Sequence, residues 1–235
     1  MVAILFVISF AVLIAVSYYV EKKKETVMTT FVEMGPRDFI RTLALPKGIF
    51  LASGHTWAEV LSNGHARVGV DDFVRKLVGK IDRVQILPVR SKVKRAEPMC
   101  TLHQAGRDLT VRAPLSGTIV NVNPRAADSP SSLNADSYVA GWLAVIEPSD
   151  LASEIKFMRV ADEASAWLRQ ELRRFRDFIE EHIRPSGMEG EYATAGNTLL
   201  DGGAPVAGLL GKVGPDTWRG FEREFLCSTN NTFFD

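Results

Sequence analysis

Cys100 and His103 stand three residues apart, a thiol and an imidazole that could share a metal or act as nucleophile and base. The residues around them, Met99 to Leu102, are short, mostly apolar and strand-prone. In a strand a spacing of three throws the two side chains to opposite faces. With no second Cys or His pair nearby, neither a metal site nor a cysteine nucleophile is expected. Asp71-Asp72 and Glu180-Glu181 sit in no pattern that argues for paired-carboxylate catalysis, and they read as a cap and a solvated face. Gly211-Lys212 fails as a phosphate cradle, because no glycine lies five positions earlier and Val213 follows in place of Ser or Thr. His55 stands alone in the sequence and reads as a structural or capping histidine. No constellation supports an enzyme.

The elements that would carry these residues centre on Glu97 to Asn123, EPMCTLHQAGRDLTVRAPLSGTIVNVN. Two β-prone runs flank a tip formed by Gln104, Ala105, Gly106, Arg107 and Asp108. Leu109, Val111, Ile119, Val120 and Val122 continue as strand formers across Pro114 and the Ser116-Gly117 turn, which predicts a protruding hairpin, a turn and a further strand. Upstream, Asn63-Gly64 between alternating runs predicts a second hairpin. Asp71 is placed to cap a short helix through Leu77, with Phe73, Leu77 and Val78 on its buried side.

Several of these stretches, in this order, resemble the glycine cleavage H-protein family of the biotinyl/lipoyl-carrier superfamily. Gly54-His55-Thr56-Trp57 is similar to the family's opening strand, and Val68-Gly69-Val70-Asp71-Asp72-Phe73 to its Val-Gly-Ile-Thr-Asp-Tyr/Phe segment. Val93-Lys94-Arg95-Ala96-Glu97-Pro98 and Gly141-Trp142-Leu143 match two later motifs, so the resemblance spans roughly His55 to Asp150. It implies a mainly β, barrel-sandwich hybrid domain of the lipoyl-carrier type. In that family a lysine at the hairpin tip carries lipoate. Counting without gaps from Glu97-Pro98 to Pro114-Leu115-Ser116-Gly117, the lysine position falls on Gly106, and no lysine stands between Lys94 and Lys156. Arg107 is adjacent, but a guanidinium is not acylated by that route. No cofactor is therefore expected.

The chain has 235 residues, enough for one domain with appendages or two small ones. Its 28 basic and 28 acidic residues balance, which gives no electrostatic case for nucleic acid. Two cysteines are too few for a disulfide framework. Val2 to Val20 is uncharged and rich in Ile, Val, Leu, Phe and Ala, long enough to cross a bilayer as a helix. Tyr18 and Tyr19 stand where an aromatic belt would, followed by Lys22, Lys23 and Lys24. Charge on the C-terminal side alone predicts an uncleaved single-pass anchor in the inner or cytoplasmic membrane, with the soluble part cytoplasmic.

The expected organisation is an anchor over 1–21, a tether over 22–46 and an H-protein-like domain over 47–150. An amphipathic helix over 151–185 starts at an Asp150 cap and carries Trp167, Leu168, Leu172 and Phe175; it lies on its own domain or docks on a partner. The stretch 186–235 reads as a Gly-rich loop and a short terminal helix from Asp216, carrying Trp218, Phe221 and Phe225. For that helix docking on another subunit is the expectation, because the loop gives it reach. The function expected is a membrane-anchored, non-lipoylated scaffold in a membrane-associated complex. Its protein partner would contact Gln104, Gly106, Arg107, Asp108, Trp167, Trp218, Phe221 and Phe225. The alternative is a lipoyl carrier of glycine cleavage or a related redox or one-carbon system.

Overall fold

The computed structural model describes residues 43, 45–130, 133, 137–183 and 208–227. The apolar run at 2–20 and most of the tether lie outside the described residues. Among the described residues no helix is long and apolar enough to cross a membrane.

Among the described residues, ten strands fall into two antiparallel sheets. The larger has seven strands in the order β10-β1-β2-β3-β9-β8-β5, and the smaller has the order β4-β6-β7. The strands are β1 (Ile49–Leu51), β2 (Thr56–Val60), β3 (Ala66–Val70), β4 (Arg83–Ile86) and β5 (Lys92–Val93). They continue as β6 (Pro98–Gln104), β7 (Arg107–Arg112), β8 (Gly117–Val122), β9 (Trp142–Pro148) and β10 (Arg159–Val160). Side-chain alternation sets which face is buried: the pairs Cys100↔Val111 and Leu102↔Leu109 point into the core, while Thr101↔Thr110 and His103↔Asp108 face outward. The Asn63-Gly64 signal does make the β2–β3 hairpin. Gly64 N–H donates to Leu61 C=O at 2.9 Å and Gly64 takes φ +83°, a longer loop than a two-residue turn.

Helix α1 (Asp72–Val78) starts where Asp71 accepts a hydrogen bond from Val74 N–H at 3.1 Å. It buries Phe73, Val74, Leu77 and Val78 in the core, each contributing about 1.5–3 kcal/mol of apolar transfer. A short helix α2 (Pro124–Asp128) follows β8.

The single helix expected over 151–185 is divided. Asp150 caps a one-turn helix α3 (Leu151–Glu154), accepting from Ser153 N–H at 3.1 Å, and a 3₁₀ turn covers Ile155–Phe157. Met158 is extended, with φ −107° and ψ 148°, and Arg159–Val160 then pairs with β1. Pairing with the open edge of β1 prevails over helical continuity here, because an unpaired strand edge leaves backbone donors and acceptors unsatisfied. Ala161, at φ +53°, restarts the chain as the long helix α4 (Ala161–Ile183). The large sheet is thus completed by residues beyond 150.

The last described segment also departs from expectation. A four-residue helix, α5 (Leu209–Lys212), lies inside what reads as loop, followed by α6 (Pro215–Phe221) and a π-helical turn over Glu222–Leu226. Trp218 is 3% exposed and Phe221 and Phe225 are 0% exposed. The partner docking expected for these three residues is replaced by packing on their own domain. Phe225 lies 6.1 Å from Phe73 of α1 and 5.8 Å from Phe175 of α4, ring centre to ring centre, and stacks on Phe221 at 5.0 Å. These separations are those of favourable aromatic pairs. A helix with so much apolar surface packs against the nearest apolar face, and α1 and α4 provide one.

Candidate functional site

The β6–β7 hairpin closes through Ala105 and Gly106, with φ +48° and +76°, the backbone of a two-residue type I′ turn. Gly106 suits this position because a side chain is strained at positive φ. The turn is fixed from one side by Asp82, whose carboxylate accepts from Ala105 N–H at 2.7 Å. On the outward face His103 Nδ1 meets Asp108 Oδ1 at 2.5 Å. Cys100 points into the core on the other face, and burial pushes its thiol pKa up. Cys100 and His103 are therefore not brought together.

The residues flanking the turn are held by the chain's own C-terminal segment. Gln104 is buried and donates its amide to Val78 C=O at 2.7 Å, at the end of α1. Arg107 donates to Leu210 C=O of α5 at 3.2 Å and lies over the Trp218 ring at 5.6 Å. Trp218 Nε1 donates to Asp108 C=O at 2.7 Å. One step further along β7, Thr110 N–H donates to Glu222 at 2.9 Å, which satisfies a donor on the sheet's edge strand. Of the tip residues, only Ala105, Gly106 and the side chain of Asp108 remain well exposed. Gln104 and Arg107, expected to meet a partner, meet this segment instead. Trp167 is partly buried, its ring 4.8 Å from that of His55 and beneath the Arg159 guanidinium at 4.9 Å.

A second cluster joins residues far apart in sequence. His55, 0% exposed, places Nδ1 2.8 Å from Asp71 Oδ2 and Nε2 3.4 Å from Glu171 Oε2. The first contact is a hydrogen bond; the second has an ion-pair distance without hydrogen-bond geometry. Burial disfavours the charged ring, but Asp71 and Glu171 outweigh it and push the His55 pKa up to about 9. Glu171 is buried, which opposes its ionisation, yet His55 and Arg174 hold it below the usual carboxylate range. Phe73 stacks on the imidazole at 4.4 Å. His55 is thus a charged structural pin with two partners, which corrects the reading of an isolated histidine. One sequence signal pointed to it: Glu171 is the acidic residue inside the apolar stripe of Leu168, Leu172 and Phe175. Buried between the turn before β2, the cap of α1 and α4, this cluster holds elements together. Among the described residues no group of acidic, histidine or cysteine side chains could hold a metal.

Comparisons with known proteins identify the family of this region. The family model described as glycine cleavage H-protein matches residues 50–171, ending on the glutamate that faces His55. The probable glycine cleavage system H protein of Pyrococcus abyssi is 34% identical over 123 residues, covering 52% of this chain and 91% of that protein. The glycine cleavage system H protein of Bacillus subtilis is 32% identical over 121 residues, 52% of this chain and 94% of its own. A crystal structure of the Mycobacterium marinum H protein covers 54% of this chain and 98% of its own, at 26% identity and a TM-score of 0.46. The matched region contains both sheets, the hairpin and the His55 pin, and on that match the chain belongs to the glycine cleavage H-protein family.

Proposed function

We propose that the chain is a non-lipoylated H-protein-like binding module that works without catalysis. It would be attached to a membrane through residues 2–20 and hold a protein partner at the cytoplasmic face. The observation that carries this is the turn itself. Ala105 and Gly106 offer no amine, and β6 and β7 between them contain no lysine, so the hairpin does not fit a lipoyl group. Lipoate is joined through the amide of a lysine side chain, whose length lets the dithiolane reach its reaction partners. Gly106 supplies neither the nitrogen nor the reach. The relatives' names favour a second reading, a lipoyl carrier, which would have to use a lysine elsewhere, such as Lys94 or the exposed Lys212 of α5.

Intact mass after incubation with lipoate, ATP and a lipoate ligase separates the two. An unchanged mass supports the binding module; a lipoyl adduct on any lysine overturns it in favour of the carrier. The membrane part is read by a carbonate wash. Full-length chain should stay with the membrane fraction and a chain lacking residues 1–24 should not; release of the full-length chain would remove the anchor from the proposal.

A further inference from the structure

The contacts around the hairpin turn make a binding surface that is already filled. Gly208 N–H donates to Lys76 C=O at 2.7 Å, and a Cβ on Gly79 would lie 2.7 Å from Gly208 Cα, so α5 enters against the end of α1 at glycine-to-glycine distance. A Cβ on Gly211 would lie 2.4 Å from the Gln104 amide nitrogen. Beside these small residues, the Arg107 bond to Leu210 and the Trp218 bond to Asp108 hold the β7 side of the turn. Leu209, Leu210 and Val213 bury the apolar part of the same strap. Phe221 and Phe225 anchor the segment separately, in the aromatic cluster with Phe175, so the strap has an attachment independent of its grip on the tip.

The polar seam is incomplete. Gln104 Oε1 is buried and has no hydrogen-bond partner among the described residues. A buried acceptor left unpaired is costly, and any occupant that offers it a donor gains what the strap does not give.

We propose that Leu209–Trp218 is an autoinhibitory strap: it occupies the hairpin flank in cis, and a protein partner reaches the tip by displacing it. This rests on the reading of the chain as a partner-binding module. The partner that fits presents a backbone carbonyl to Arg107, an N–H to the Asp108 carbonyl, a small residue against Gln104 and a donor for Gln104 Oε1. Release of the strap leaves Phe221 and Phe225 in place, so the domain stays folded while the tip is uncovered.

Full-length chain in detergent provides the test, with a labelled peptide copying residues 208–219 as the probe. Gly211→Leu drives a side chain into the Gln104 amide and lifts the strap, leaving every residue of the hairpin unchanged. Leu210→Asp does so by a different route. Both variants should bind the peptide at least tenfold more tightly than the wild type. Hydrogen exchange over 104–108 should rise at least tenfold, while β2 and β3 keep their protection. Equal peptide binding by wild type and both variants, or unchanged exchange at the tip, overturns the proposal. Loss of protection throughout the large sheet in both variants also overturns it, since the strap would then be inseparable from the core. A lipoyl adduct in the mass experiment would sink the binding-module reading alone and leave the competition measured here standing.

Discussion

His55 Nδ1 lies 2.8 Å from Asp71 Oδ2, and through this pair the turn before β2 is tied to the cap of α1. The same Asp71 carboxylate accepts from Val74 N–H, so one side chain starts a helix and neutralises a buried cation. Glu171 closes the group from α4, bringing residues 116 positions apart into one buried unit.

His55→Ala removes the cation and leaves two buried carboxylates without it. Breaking one side of such a group costs about 3–5 kcal/mol. Urea unfolding should show that loss, and Glu171→Leu in the same background should restore part of it, because one stranded charge is gone.

Stability should also depend on pH through this residue. A histidine raised from 6.5 in the unfolded chain to about 9 when folded contributes its stabilisation fully below pH 6.5. The contribution shrinks across pH 6.5–9 and is gone above it, on the order of 3 kcal/mol in all at about 1.36 kcal/mol per pKa unit. Glu171, lowered by its partners, works in the opposite sense, and its contribution is lost as pH falls through the acidic range. Unfolding midpoints measured from pH 6 to 10 should decline for the wild type and decline less for His55→Gln.

Trp218→Ala combined with Phe221→Ala should lower the melting temperature of the purified chain. Each deletion of a buried aromatic side chain costs about 3–5 kcal/mol. A melting temperature unchanged by both would contradict the burial of the two rings against the chain's own helices.

Gly106→Lys tests how much of a lipoyl hairpin remains. A Cβ at Gly106 meets nothing within 4 Å, so the cost is backbone strain at φ +76°, about 1–2 kcal/mol. The variant should fold, and lipoate ligase should modify it only to the extent that the strap leaves the tip accessible. Its intact mass should therefore show less lipoyl adduct than Gly106→Lys combined with Gly211→Leu.

The local signals in the sequence were sufficient for the hairpin and for the Asp71 and Asp150 caps, because each rests on residues within a few positions of one another. The break at Met158 was not legible: nothing local disfavours a helix through Arg159 and Val160, and only the open edge of β1 selects the extended form. The strap was hidden for a similar reason. Gln104, Arg107 and Asp108 look like a polar tip awaiting a partner, yet Arg107 and Asp108 bond to residues more than 100 positions later. Glu171 stands within the apolar stripe of α4, but nothing near it in the chain names His55, 116 positions earlier, as its partner.

The Thr110–Glu222 bond spans 112 positions of chain. At roughly 5–20 residues per second of synthesis, β7 emerges some 6–22 s before the residue that covers its edge. Through that interval the edge strand of the smaller sheet presents unpaired amides to anything nearby, a period in which another chain's strand could add to it. Asp108 and Arg112, on the outward face of β7, place charge along that edge from the moment it forms. The final helices therefore complete the edge protection that these charges begin.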